Sequence, residues 1–288
     1  MQSRPEWLKM KAPDEESLRE MEKILRVLKL NTVCESANCA NIGKCFENKT
    51  ATFMIMGDKC TRACRFCAVK TSFPNPLDPK EPNHVATASQ QLGLKHIVVT
   101  SVTRDDLEDG GAHHYAETVR EIRKFNPDST IELLIPDLQG DWNALQTIIE
   151  SKPHILNHNV ETVPSMYSLV RPEAIFERSL ELLGQVKVMD HNIYTKSGIM
   201  LGFGENEEEV IQVMKDLRKI NCDILTIGQY LQPSKEHVQL KEYIPIEKFD
   251  ALKNKALKMG FKYVAAGPLV RSSYKAYEGM QQMKKDIV

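Results

Sequence analysis

Six of the seven cysteines lie between positions 34 and 67. They form two groups of three: Cys34, Cys39 and Cys45 in "CESANCANIGKC", then Cys60, Cys64 and Cys67 in "CTRACRFC". Thiolates bind soft and borderline metals, and packing alone gives no reason to collect three of them within one short loop. Structural zinc usually takes four ligands, commonly as two close pairs. Spacings of four then five residues, and of three then two, leave two incomplete sets. An iron-sulfur cubane held by three thiolates keeps one iron open to another ligand, and that is the chemistry this spacing suits best. Cys222, inside the apolar run "INCDILTIG", reads as a small core hydrophobe.

The rest of the composition sets bounds. Lys and Arg total 38 against 39 Asp and Glu, a formal charge of -1 over 288 residues, which removes any global attraction to nucleic acid. The first residues lack the apolar run of a signal peptide, and no stretch approaches the roughly 18 apolar residues of a membrane span. A cytoplasmic chain is expected, and in that reducing compartment clustered cysteines hold metals rather than form disulfides. No exposed apolar stripe is evident, so a monomer is expected.

These cysteines must be positioned by a scaffold. "PDEESLREMEKILRVLKL" has the spacing of an amphipathic N-terminal helix, and the proline-rich "TSFPNPLDPKEPN" should wrap the surface. Beyond it, short apolar runs alternate with helical patterns. "TATFMIMG", "HIVVTS", "IELLIP", "HILNHN", "GIMLGF" and "ILTIGQ" are six strand candidates, with "YVAAG" as a seventh. Repeated βα units imply an α/β fold with a parallel sheet, whose active-site residues lie just past the strand C-termini. The second cysteine trio follows the first strand. Polar segments follow the second, fourth and sixth strands, and "TKSG" precedes the fifth. Asn206 with Glu209 forms a capping box, Gly260 stands where a helix stops, and His113 and His114 are expected on an exposed helix face.

"CTRACRFC", with an aromatic before its last cysteine, resembles the signature of the radical S-adenosylmethionine superfamily, and the βα series resembles that superfamily's partial (β/α)6 barrel. The first trio narrows the resemblance to the lipoyl synthase family. Supporting stretches are "RPEWLK", "FMIMGDKCTRACRFCAV", "TSVTRDDLEDGGA", "HNVETV", "YTKSGIMLGFGE", "TIGQYLQPS" and "VAAGPLVRSSY", from Arg4 to Tyr274. The resemblance implies three segments: an N-terminal extension over 1–50, a partial barrel over 51–266, and a C-terminal segment over 267–288 that returns to the extension.

It also implies two 4Fe-4S clusters. Cys60, Cys64 and Cys67 would hold one whose open iron binds S-adenosylmethionine, while Cys34, Cys39, Cys45 and Ser273 would hold the auxiliary cluster that supplies sulfur. Arg271 and Ser273 are the expected catalytic residues. Contacts to S-adenosylmethionine are expected from Phe66, Ser101, Asp105, Asn159, Glu161, Lys196 and Ser197. The implied reaction inserts two sulfur atoms into an octanoyl chain on a carrier-protein lysine, the carrier being a glycine cleavage H protein or a 2-oxoacid dehydrogenase acyltransferase. Reduced flavodoxin or ferredoxin and a cluster-assembly protein are the further partners. An unactivated methylene has neither an acidic proton nor a leaving group, so a cofactor-borne radical route is needed. A serine oxygen is a hard ligand for a thiophilic iron, and it should be the first to leave. The rival readings are another radical sulfur-inserting enzyme of the biotin synthase kind, a tRNA methylthiotransferase, a two-cluster electron carrier and a zinc-binding module. No GxGxxG or GxxxxGK[ST] loop supports a nucleotide-dependent enzyme.

Overall fold

The computed structural model describes residues 5–8, 15–37, 39–47, 50–273 and 276–285. Arg4 and Tyr274, the ends of the family-like stretch, lie outside the described residues. Seven parallel strands form one curved sheet in chain order: β1 Thr52–Ile55, β2 His96–Ser101, β3 Thr130–Leu134, β4 Ile155–Asn157, β5 Tyr194–Leu201, β6 Ile224–Gln229 and β7 Tyr263–Gly267. A two-residue strand, Asn31–Thr32, adds antiparallel to the outer edge of β1, where Thr32 faces Phe53. β1 and β7 are not paired with each other, which makes the barrel partial. Fully buried runs such as β1 and β2 are apolar without alternation because helices cover the outside and side chains fill the inside.

Six helices alternate with these strands: α1 Glu81–Gln91, α2 Ala112–Phe125, α3 Trp142–Glu150, α4 Phe176–Met189, α5 Glu207–Lys219 and α6 Ile246–Lys258. Asp141 caps α3 by accepting from Asn143 N at 2.9 Å and Ala144 N at 3.2 Å. The expected capping box starts α5, and Gly260, at φ 95°, follows α6. The helix α1 is not foreshadowed by the sequence reading. Its segment "EPNHVATASQQ" carries few large apolar residues, and it packs on α2 through Val85, Ala86 and Ala88, all fully buried. His114 departs from expectation. It is buried and hydrogen-bonds Glu81 Oε2 at 2.7 Å, while its neighbour His113 is exposed beside Asp109.

The N-terminal helix, Glu15–Val27, buries Met21 and Leu25 in the main core and packs on the short helix Ile42–Glu47. Cys222 is fully buried, as expected of a core side chain. After β7 the chain turns inward. Val270 passes so close to β6 that a Cβ on Gly228 would lie 2.2 Å from its carbonyl oxygen, so that position has room only for glycine. The last helix, Ala276–Lys285, sets Met280 against Ile155 and Ile224 at the N-terminal ends of β4 and β6.

Candidate functional site

A cavity of about 500 Å³ runs through the barrel, and all six clustered cysteines line it. β1 separates the two trios. Thr52 opens the strand beside Cys34, and Cys60 follows its far end. Four residues at about 3.3 Å per step set the two ends about 10 Å apart.

The second trio sits on a loop tied to three neighbours. Thr61 N donates to Thr103 O at 3.1 Å, Arg65 N to Val170 O at 2.9 Å, and His237 Nε2 lies 3.0 Å from Cys67 O. Backbone N–H groups of Thr103 and Arg62 reach Cys60 Sγ at 3.3 and 3.5 Å. Arg62, inside the motif, is clamped by two carboxylates. Its Nε and Nη2 meet Asp105 at 2.7 and 2.9 Å, and Nη2 meets the fully buried Asp137 at 2.6 Å. Burial pushes the Asp137 carboxyl up, but the hydrogen bond and charge of Arg62 outweigh it and hold the group at about 2.

The first trio comes from the short helices Val33–Ser36 and Ile42–Glu47 and the turn between them. Ser273 arrives from the C-terminal segment, its Oγ 2.8 Å from Thr52 Oγ1, and Thr52 lines the cavity together with Cys34. The tail therefore brings the Ser273 hydroxyl to Thr52 across 221 residues of chain, in the cavity that the first trio also lines.

Past β4, Glu161 holds a left-handed φ of 65°, rare for a residue with a side chain. The strain is absorbed by β5: Glu161 N donates to Gly198 O at 2.9 Å, and Met200 N to Glu161 O at 2.8 Å. Glu161 Oε1 accepts from Asn159 Nδ2 at 3.0 Å, and burial raises its pKa. Asn159 Oδ1 is buried with no partner among the described residues. Arg171 Nη1 donates to Asn159 O at 2.8 Å while its Nε is likewise buried and unpartnered. Arg271 lines the cavity with Cys39 and Glu161, and burial lowers its pKa against the opposing pull of those two groups.

Expected contacts divide. Phe66, Ser101, Asn159, Glu161, Arg271 and Ser273 line the cavity. Phe66 also packs on the cluster of Val170, Phe203, Tyr230 and Val238, and Ser101 Oγ accepts from Tyr115 OH at 2.9 Å. Three residues do not line it. Asp105 spends both carboxylate oxygens on Arg62. β5 begins at Tyr194, so Lys196 and Ser197 lie within the strand rather than before it. Lys196 is buried with Nζ 2.8 Å from Glu132 Oε1, because a charged amine in the core needs an opposite charge. Ser197, fully buried, turns its Oγ to Val160 N at 3.3 Å and so supports the Asn159–Glu161 segment from behind. The sequence reading did not single out Arg62, Arg171, Asn41 or Thr52. Arg62 stood inside the cysteine motif itself, whereas Thr52 has the composition of any strand threonine.

The donor sets suit iron-sulfur clusters. Burial pushes Cys34 and Cys67 up to about 12 and Cys45 and Cys64 up to about 11, with neighbouring cysteines adding to the rise. Such thiols become thiolates only beside strong positive charge, which iron supplies. No group of three His, Cys, Asp or Glu side chains among the described residues converges on a single metal ion. A cubane does not need that convergence, since each thiolate binds a different iron.

Residues 54–217 match the radical SAM superfamily, and the chain belongs to it. The fold agrees with that of methylornithine synthase (PylB), at 13% identity and a TM-score of 0.55 over 88% of this chain and 79% of that one. It agrees also with Streptococcus suis SuiB bound to precursor peptide SuiA, at 12% identity and a TM-score of 0.57 over 91% and 63%. Within the superfamily the chain belongs to the lipoyl synthase family. It is 57% identical over 277 residues to the lipoyl synthase of Caldanaerobacter subterraneus subsp. tengcongensis, covering 96% of this chain and 97% of that protein. It is 54% identical over 279 residues to that of Alkaliphilus metalliredigens, covering 97% and 96%. Its activity is that of a radical sulfurtransferase making lipoyl groups with S-adenosylmethionine and two 4Fe-4S clusters.

Proposed function

We propose that the protein inserts two sulfur atoms into the octanoyl chain of an octanoylated carrier protein, and that the two ends of the cavity divide the work. Cys60, Cys64 and Cys67 would hold the cluster that binds S-adenosylmethionine; Cys34, Cys39, Cys45 and Ser273 would hold the auxiliary cluster. When bound, these groups supply hydrogen-atom removal from an unactivated methylene and the sulfur that replaces the hydrogen. The protein's own residues bind and orient. Asn159 and Glu161 offer an amide oxygen and a carboxylate to the polar parts of S-adenosylmethionine, and Ser101 and Phe66 complete that wall. Arg171 offers a buried cation at the same end. Arg62 holds the cysteine loop to the ends of β2 and β3. Arg271 stands between the two ends, where its charge faces both.

One observation carries this reading: Ser273 of the C-terminal segment hydrogen-bonds Thr52 in a cavity that both cysteine trios line. The extension over 1–50, the barrel over 51–266 and the tail over 267–288 are then three parts of one site. Among the described residues no helix is long and apolar enough to cross a membrane. A cytoplasmic setting, with reduced flavodoxin or ferredoxin as donor and a cluster-assembly protein as supplier, completes the proposal. The carrier would be a glycine cleavage H protein or a 2-oxoacid dehydrogenase acyltransferase.

The test is anaerobic incubation of the reconstituted protein with an octanoyl-lysine peptide, S-adenosylmethionine and reductant, followed by mass spectrometry. Two added sulfurs are expected. An unmodified peptide with S-adenosylmethionine cleaved would point instead to a sulfur-inserting enzyme with another substrate.

A further inference from the structure

We infer that Asn41 and Thr52 are positioning residues that dock the C-terminal segment, holding Ser273 at the first cysteine trio through protein contacts alone. The inference rests on Ser273 as the fourth ligand of that trio and explains how so distant a residue is delivered to it.

Three contacts define the docked segment. Asn41 lies between Cys39 and Cys45, just before the short helix that carries Cys45, and its Nδ2 donates to Leu269 O at 2.7 Å. Thr52 Oγ1 donates to Ser273 Oγ at 2.8 Å. Between these two points Val270 runs along β6, where Gly228 leaves the space its carbonyl requires. The segment is thus fastened at both ends and guided in the middle, over five residues.

Both side chains look chosen for this task rather than for packing. Asn41 is 2% exposed, yet its Oδ1 has no hydrogen-bond partner among the described residues. Burying an unpaired amide oxygen is unfavourable, so the bond to Leu269 must outweigh that cost. Thr52 is 4% exposed on the first strand of the barrel, and valine would suit such a strand position equally well. Its hydroxyl is satisfied by Ser273. Thr52 therefore holds Ser273 from a rigid place in β1, at the edge of the cavity that the first trio lines. Docking by neutral hydrogen bonds also leaves the segment able to stay in place when Ser273 is not bonded to iron.

Hydrogen–deuterium exchange on the full-length chain, iron-loaded and iron-stripped, tests this directly by following the peptide that spans residues 268–273. In the unchanged protein the peptide is protected in both states. Thr52→Val speeds its exchange about 2- to 10-fold, as loss of one hydrogen bond should, and Thr52→Ser restores protection because it keeps the hydroxyl. Asn41→Ala acts in the same direction. Protection seen only with iron present, or equal exchange in the valine and serine variants, overturns the inference. A second readout separates it from the reading beneath it. In a chain carrying Cys60→Ala, Cys64→Ala and Cys67→Ala, iron release to a chelator reports the first trio alone. Ser273→Ala and Thr52→Val should both speed release. If Ser273→Ala leaves the rate unchanged, Ser273 is not a ligand; if it alone speeds release, the ligand role stands and the docking role of Thr52 falls.

Discussion

Replacing Gly228 with alanine would place a methyl carbon 2.2 Å from the Val270 carbonyl oxygen and 3.2 Å from its carbonyl carbon. Non-bonded heavy atoms are comfortable at about 3.5 Å, so the gap is short by about 1 Å. Neither side yields cheaply. β6 is laddered to β5 and β7 on both edges, and the obstacle in the tail is backbone rather than a flexible side-chain tip. The tail, with fewer bonds, must move. A shift of about 1 Å breaks the 2.8 Å contact between Thr52 and Ser273, and a misplacement of that size costs about 10²-fold in rate at a reacting group. Overpacking of this kind destabilises by about 1–3 kcal/mol. The assay measures two products in one anaerobic reaction, 5′-deoxyadenosine and sulfur-bearing peptide. Gly228→Ala should lower sulfur insertion about 10²-fold while 5′-deoxyadenosine still forms, because Asn159, Glu161 and the second trio are untouched. Gly198→Ala is the converse control. Its methyl would lie 2.8 Å from Asn159 Oδ1 and 2.7 Å from Thr226 Oγ1, at the cofactor end, so formation of 5′-deoxyadenosine itself should fall. Undiminished sulfur insertion by Gly228→Ala would refute the placement of the tail and the role assigned to Ser273.

Three further outcomes are expected. Asp137→Asn leaves Arg62 short of one buried partner and should cost about 3–5 kcal/mol in denaturant unfolding, whereas Asp105→Asn, whose side chain is 28% exposed, should cost less. Stability should fall in acid: Asp137 and Glu132 are both held at about 2 in the fold, below ordinary values of 3.8 and 4.5. Their contribution is present above pH 4.5 and is lost as pH falls through 2, so Asp137→Asn should flatten the stability profile in that window. Asn159→Ala and Glu161→Gln should each weaken S-adenosylmethionine binding about tenfold in an equilibrium titration, with the content of the first-trio cluster unchanged.

The alternation of apolar runs and helical patterns was legible because each strand of a covered parallel sheet is apolar throughout, and this pattern is local. The cysteine groups were legible for the same reason, as their spacing is a property of short loops. The limits of such reading are equally physical. The segment "YTKSGIML" begins with polar residues, so the strand seemed to start after them. The structure begins it at Tyr194, because Lys196 has a carboxylate to meet on β3, and that partner lies 64 residues away. Asp105 looked like a cofactor contact until Arg62, 43 positions earlier, took both of its oxygens. Helix α1 escaped notice because it packs through alanines and one valine on a neighbour that only the tertiary fold supplies.

Residue type and short-range spacing therefore determined two incomplete three-thiol sets and a barrel to hold them, while the serine that would complete one set was implied by the family resemblance. The tertiary structure alone decided which polar residues face the cavity and which are spent on one another. Facing is set by strand register and by partners tens or hundreds of positions distant, as with Thr52 and Ser273 across 221 residues. A linear pattern carries no term for such distances, and a buried charge or hydroxyl goes wherever its partner has been folded to meet it.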